Sequence, residues 1–271
     1  MKNEKPLDKL SKKKLIDKKI AIFVPVYNSA SALPQVIDRI PEKLKKKVRE
    51  IFVIDDASSD SSYLTIIGYQ SKKRISNLKI IKNKTNLGYG GNQKKAYKYA
   101  IKNKYDIIVM LHGDAQYAPE KISLILQPLE KNEASMVFGS RMKGNPLKGG
   151  MPLWKYVGNK MLTSFENIFL GLNLSEYHSG FRAYDVKALN KINLDACTNG
   201  YSFDTDILIQ FKINNLKIME KPIPTHYGKE SGGVTFFKAF LYGYNIIKSI
   251  LHYYFASHFK LSKSKNKSIL S

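Results

Sequence analysis

Residues 20–28 read IAIFVPVYN and residues 50–60 read EIFVIDDASSD. Each is an apolar run that turns polar within one step. Ile20–Val26 lacks the in-out alternation of a strand with one wet face, so it reads as a strand buried on both sides. Glu50–Ile54 repeats the form. Between them Ser31–Lys47 has a helical pattern, with Ser31 as N-cap and Pro34 in the first turn. The same alternation continues downstream. Ser61–Arg74, Gly91–Asn103 and Pro119–Lys131 read as helices, and Leu78–Ile81, Ile107–Leu111 and Ser135–Phe138 as strands. Buried strands alternating with helices predict an α/β fold: a Rossmann-like, mostly parallel central sheet with helices on both faces and right-handed crossovers. Ligands of such open sheets lie at the carboxyl ends of the strands, which is where this chain places its polar motifs.

Past Gly139 the pattern changes. Gly144–Gly150 (GNPLKGG) predicts a mobile loop, and Pro152–Leu170 a helix. Glu176–Tyr184 contains a strand-like run, and Phe203–Asn214 is a helix. Lys217–Thr225 carries Pro222 and Pro224 and is therefore an edge strand. Residues 234–259 give a C-terminal amphipathic helix, with Phe236, Phe237, Phe240, Leu241, Tyr244, Ile247, Leu251, Tyr254 and Phe255 on one face. The expected organisation is a basic arm at 1–19, a catalytic domain at 20–233, the amphipathic segment at 234–259 and a basic tail at 260–271. The domain divides into a nucleotide-binding half, 20–140, and an acceptor half, 141–233.

The 271 residues carry 45 Lys and Arg against 22 Asp and Glu, a formal net charge of +23. Such a surplus implies an anionic partner or surface, or reflects a lysine-rich composition. A single cysteine, Cys197, excludes an internal disulfide. Met1–Lys19 has eight lysines and no apolar centre, unlike a signal peptide. No apolar run reaches the length of a membrane span. The expectation is a cytoplasmic protein, peripheral on the inner face of the membrane.

Four motifs sit at strand ends. Val24–Asn28 (VPVYN) ends the first strand; Tyr27 can lie against a nucleobase and Asn28 can bond a polar edge, or the motif is a simple turn. Asp55 and Asp56 end the second strand, where a carboxylate can accept from a ribose or a base N–H, while Ser58 or Asp60 can cap the next helix. Asn86–Asn92 (NLGYGGN) opens a helix; Gly88 and its neighbours let backbone amides approach an anion. His112–Gln116 (HGDAQ) ends the fourth strand. Mg²⁺ or Mn²⁺ takes oxygen ligands. Asp114 offers a carboxylate and Gln116 a carbonyl oxygen on the same face of an extended segment, whereas His112 is equally an interior histidine.

Taken in order, FVPVYN (23–28), VIDDASSD (53–60), NLGYGGN (86–92), HGDAQY (112–117), GSR (139–141), SGFRAY (179–184) and EKPIPTHYGKES (220–231) resemble family 2 glycosyltransferases of the GT-A fold, in the branch of dolichyl-phosphate and polyprenyl-phosphate mannose or glucose synthases. The resemblance implies that Pro25, Tyr27, Asp55 and Asp56 hold the nucleoside. It places Asp114 and Gln116 on a divalent ion at the diphosphate. Family members commonly show Asp-x-Asp there, and His112 replaces the first Asp. Arg141, Ser179, Arg182 and Lys229 would face acceptor or donor phosphates.

The implied reaction is an inverting hexosyl transfer from a UDP- or GDP-linked sugar to a polyprenyl phosphate at an anionic membrane surface. A phosphate acceptor needs no general base. A glycan hydroxyl acceptor would need one, for which Asp204 or Asp206 could serve, although both also read as first-turn acids complementing a helix dipole. A nucleotidyltransferase would need a Gly-rich basic loop where Tyr27–Ala30 stands. A nucleic-acid binder is suggested by charge alone and opposed by the acidic strand ends. A non-catalytic sugar-nucleotide binder is motivated by His112.

Overall fold

The structure, a computed structural model, describes residues 18–227, 243–251, 253 and 254. Seven strands form one sheet: β1 (Ile20–Val26), β2 (Glu50–Asp55), β3 (Leu78–Lys82), β4 (Ile107–Leu111), β5 (Met136–Ser140), β6 (Phe181–Asp185) and β7 (Ile218–Pro222), in the order β3-β2-β1-β4-β6-β5-β7. β1, β2, β3 and β4 are mutually parallel. β6 runs antiparallel to both β4 and β5, and β7 pairs parallel with β5. β7 is the last strand of the sheet, the edge position that Pro222 at its end and Pro224 just beyond it call for.

Eight helices connect the strands: α1 (Leu33–Asp38), α2 (Glu42–Lys47), α3 (Ser62–Lys73), α4 (Tyr89–Lys102), α5 (Ile122–Glu130), α6 (Leu153–Leu170), α7 (Val186–Leu189) and α8 (Phe203–Ile213). Strand residues alternate between two apolar layers. Ile20, Ile22 and Val24 join α1, α2, α3 and α5 on one face. Ala21 and Phe23 join α4 and α8 on the other, with Phe23 stacked on Phe52 at 5.3 Å. Both faces are covered, which is why the strands read as unbroken apolar runs.

The single helix expected over 31–47 is two. Pro41 stands as the cap of α2, and its ring and missing N–H prevent a helix from running through it. Helix α1 starts from Ala32, without a side-chain cap, rather than from Ser31. The 119–131 helix opens as a 3₁₀ turn, Pro119–Lys121, before α5. The Gly144–Gly150 segment is packed rather than loose. A Cβ on Gly144 would stand 1.8 Å from the carbonyl oxygen of Ile223, so this chain crossing needs glycine.

Of the amphipathic segment, residues 243–251 are helical. Ile246 and Ile250 are fully buried in the α4/α8 layer, while Tyr244 and Ile247 of the expected apolar face are exposed. Phe236, Phe237, Phe240, Leu241 and Phe255 lie outside the described residues.

Candidate active site

The chain passes from β1 outward to β2 and β3, then returns to place β4 on β1's other side. This reversal is a topological switch point, and it opens a crevice at the carboxyl ends of β1 and β4. Val26 lies beside Asp55 across the β1–β2 pairing, so the polar ends of these strands meet there.

On the nucleotide side, Tyr27 is exposed, and Pro25 lies one step inside the strand end. Asn28 adopts φ +50°, and its Oδ1 accepts from the N–H of Ser59 at 2.9 Å and of Asp60 at 3.4 Å. Its side-chain oxygen thus ties the β1 turn to the β2 turn. Asp56 is equally committed: Oδ1 accepts from Asn83 Nδ2 at 2.7 Å and from the Leu87 N–H at 2.9 Å. Asp55 differs. Its Oδ2 takes the Ser58 N–H at 3.3 Å, while its Oδ1 is buried with no partner among the described residues. The glycine loop is not an open anion cradle. Gly88 takes φ +79°, and the amides of Gly90 and Gly91 at the start of α4 donate to the carbonyl of Asn199, at 2.7 and 3.2 Å.

The segment after β4 is a turn, not an extension. Ala115 has φ +58°, and Asp114 Oδ1 accepts the Gln116 N–H at 3.1 Å. The alternation that would put Asp114 and Gln116 on one face therefore does not operate. What the turn brings to the Asp114 carboxylate is the Gln116 backbone N–H. Asp114 Oδ2 and the Gln116 amide have no hydrogen bond among the described residues, and both residues are half-buried. His112 lies edge-on to the rings of Tyr89 and Tyr117, at 5.5 and 5.7 Å, with Nε2 3.3 Å from Tyr89 Oη. Burial holds its pKa below the ordinary histidine value, against the opposing charges of Asp114 and Asp204.

On the acceptor side, Arg141 is clamped. Its Nη2 meets Glu176 Oε2 at 2.7 Å and the carbonyl of His178 at 3.0 Å, and its Nη1 reaches Tyr227 Oη at 3.3 Å. Lys155, in the first turn of α6, lies 5.2 Å from the ring centre of the same Tyr227. Burial, then the charge of Arg141, lowers its pKa, while Asp114 opposes them. Its Nζ has no carboxylate within ion-pair distance among the described residues. Sequence reading missed Lys155, because one lysine among so many carries no signal.

Three expected phosphate or base residues are turned inward. Arg182 is buried, with Nε on the Ser179 carbonyl at 2.6 Å, Nη2 on the Tyr177 carbonyl at 2.5 Å and an ion pair to Asp204 at 3.2 Å. Its guanidinium is spent on the protein, not presented to a phosphate. Ser179 Oγ donates to the Gly139 carbonyl at 2.5 Å. Asp204, paired with Arg182 and accepting from Tyr89 Oη at 3.0 Å, is a bracing carboxylate rather than a free base. A second buried carboxylate, Glu166, binds His178 at 3.0 Å and Thr205 at 2.7 Å. Lys229 lies outside the described residues.

The fold is a mostly parallel α/β sheet with a ligand crevice at its switch point, and comparison with known proteins gives its class. Residues 21–192 match the model of the family described as Glycosyl transferase family 2. The chain is 30% identical over 227 residues to a UDP-N-acetylglucosamine–dolichyl-phosphate N-acetylglucosaminyltransferase of Methanococcus voltae, covering 80% of this chain and 89% of that protein. It is 27% identical over 213 residues to an undecaprenyl-phosphate mannosyltransferase of Micrococcus luteus, covering 76% and 82%. A low-salt glycan biosynthesis hexosyltransferase of Haloferax volcanii is 29% identical over 210 residues; the match covers 76% of this chain and 48% of that longer protein. Glucosyl-3-phosphoglycerate synthase from Mycobacterium tuberculosis superposes with a TM-score of 0.69 at 16% identity, covering 93% and 85%, a likeness of fold. The chain belongs to glycosyl transferase family 2.

Proposed function

We propose that the chain moves a hexose from a UDP- or GDP-linked donor to a polyprenyl phosphate, with inversion, at the inner membrane surface. One observation carries the reading: Asp114 keeps a free carboxylate oxygen at the switch point and, like Arg141, acts electrostatically on the half-buried Lys155. An acid and two cations there suit a diphosphate leaving group on one side and a phosphate acceptor on the other. The names of the Methanococcus and Micrococcus relatives, which act on dolichyl and undecaprenyl phosphates, support the acceptor class.

Asp55 Oδ1, buried and uncommitted, suits a nucleobase N–H. Asp114 Oδ2 and the Gln116 amide oxygen fit a divalent ion of the Mg²⁺ or Mn²⁺ kind. Among the described residues no cluster of three His, Cys, Asp or Glu exists, which fits an ion held largely by substrate phosphates. Solved complexes of the mycobacterial synthase hold Mn²⁺ and UDP. When bound, such an ion stabilises the charge that develops on the departing diphosphate. Arg141, fixed by Glu176, and Lys155 orient the acceptor phosphate. Its oxygen attacks the anomeric carbon as the bond to the diphosphate breaks on the opposite face. The acceptor is already an anion near pH 7, so no base is consumed. Asp204 is locked to Arg182 and Asp206 Oδ2 accepts the Thr198 N–H at 2.8 Å, so both are poorly placed to be one, which disfavours a glycan hydroxyl acceptor.

Among the described residues no helix is long and apolar enough to cross a membrane. Leu153, Trp154, Val157, Met161 and Ile168 of α6 are exposed and fall on one face at 3.6 residues per turn. An apolar row of this kind, beginning beside Lys155, suits a lipid acceptor.

The test incubates the protein with UDP- and GDP-hexoses, a short-chain polyprenyl phosphate and Mn²⁺ or Mg²⁺. Transfer of label into an organic-extractable glycolipid, stopped by EDTA, is expected. Transfer to free glycans without any need for the lipid phosphate would refute the reading.

A further inference from the structure

His112 directly follows β4, two residues before Asp114, and its hydrogen bonding fixes which nitrogen is available. Tyr89 Oη has one proton, and it goes to Asp204 Oδ2 at 3.0 Å. Asp204 is the acceptor of this bond, and its other oxygen forms an ion pair with Arg182 at 3.2 Å. Tyr89 Oη therefore accepts from His112, and the 3.3 Å contact is an Nε2–H donating to it. A neutral imidazole protonated at Nε2 carries its lone pair on Nδ1.

The ring is also held in place. Gly180 lies against its Nε2 edge, where an added Cβ would stand 2.5 Å from Nε2. Nδ1 makes no hydrogen bond to the described protein, and it is absent from the buried polar atoms that lack a partner. It therefore opens to solvent in the crevice. Asp114, with its free Oδ2, follows two residues later, and it is the first charge acting on the ring. An Arg–Asp–Tyr–His chain behind an open nitrogen has the form of the outer shell that orients a histidine ligand.

We propose that His112 is a ligand of the donor-site cation through Nδ1, beside Asp114, and that this nitrogen makes the site prefer Mn²⁺ to Mg²⁺. The inference rests on the proposed cation-dependent transfer and adds to it a ligand and an ion preference. Mg²⁺ demands oxygen ligands in near-ideal octahedra, whereas Mn²⁺, a first-row transition ion that also binds oxygen, accepts one imidazole nitrogen more readily than Mg²⁺ does. A carboxylate at position 112 would favour the harder ion.

Pulsed electron paramagnetic resonance of Mn²⁺ bound to the whole protein with UDP, and separately with GDP, reads this directly. Histidine nitrogen coupling is expected in the wild type, changing on ¹⁵N-histidine labelling. His112→Gln should lose the coupling and bind Mn²⁺ about tenfold or more weakly. His112→Asp should lose the coupling while its preference moves toward Mg²⁺; this variant keeps the test decisive if the Gln variant does not fold. Mn²⁺ bound to wild type without nitrogen coupling, or coupling that survives in both variants, would overturn the inference and leave the transferase reading standing. No Mn²⁺ binding with either nucleotide would overturn both.

Discussion

At the scale of single residues, the site separates groups that face the crevice from groups that brace it. Asp114 and Lys155, each with a charge not paired to another described side chain, are proposed to face it; Arg182 and Asp204, buried and paired with each other, do not. The two classes predict different failures. Asp114→Asn keeps the shape of the turn but removes the charge. It should lower kcat by at least about a hundredfold, since charge stabilisation of this kind supplies several kcal/mol, with an unchanged melting temperature. On the proposed reading, Lys155→Ala removes one charge-assisted contact to the acceptor. That costs about 1.5–3 kcal/mol, so the KM for polyprenyl phosphate should rise roughly 10- to 100-fold while the donor KM stays nearly constant. Arg182→Met leaves Asp204 buried without its partner. Breaking such a pair costs about 3–5 kcal/mol, to be read as a lower urea midpoint. A stable Arg182→Met protein that had lost only acceptor binding would return Arg182 to the phosphate site.

At the scale of elements, much of the fold is legible because both faces of the sheet are covered. A doubly buried strand has no polar residues to blur it, so Ile20–Val26 and Ile107–Leu111 match their expected bounds and β2 nearly so. What the pattern could not show is direction. β6 runs against its neighbours, and no local residue announces that reversal. The site motifs were legible as a set, from strand-end position and family resemblance. Their internal division was not. An arginine in SGFR looks the same in sequence whether it meets a phosphate or, as here, three carbonyls and Asp204. The glycines of NLGYGG were read as ligand space, but Gly90 is small because the 197–203 segment crosses it. A Cβ there would stand 2.4 Å from the Thr198 carbonyl oxygen and 2.7 Å from Phe203 Cβ. Gly158, within α6, has nothing within 4 Å. The two should therefore respond oppositely to alanine. Gly90→Ala should destabilise by about 1–3 kcal/mol through overpacking. Gly158→Ala should stabilise by roughly 0.5–1 kcal/mol through helix propensity. Chemical denaturation of the pair checks both signs.

At the scale of the whole molecule, charge and exposed apolar surface have to be explained together. A net charge of +23 attracts any anionic surface but gives no depth of insertion. The exposed row on α6 supplies apolar area; Met161 is 69% and Ile168 76% exposed. A protein that reaches a lipid phosphate needs both, since attraction through lysines alone is screened within about 8–10 Å at physiological salt. The two contributions are separable on vesicles. Binding to phosphatidylglycerol vesicles should weaken as salt rises, and phosphatidylcholine vesicles should bind poorly at any salt. Met161→Glu with Ile168→Glu should reduce binding at every salt concentration, because these changes remove insertion more than attraction. They should leave nucleotide affinity alone, since both residues lie on the exposed face of α6. If the double variant bound vesicles as the wild type does, α6 would not be the inserted surface. The exposed Tyr244 and Ile247 of the 243–251 helix would then be the next apolar face to substitute.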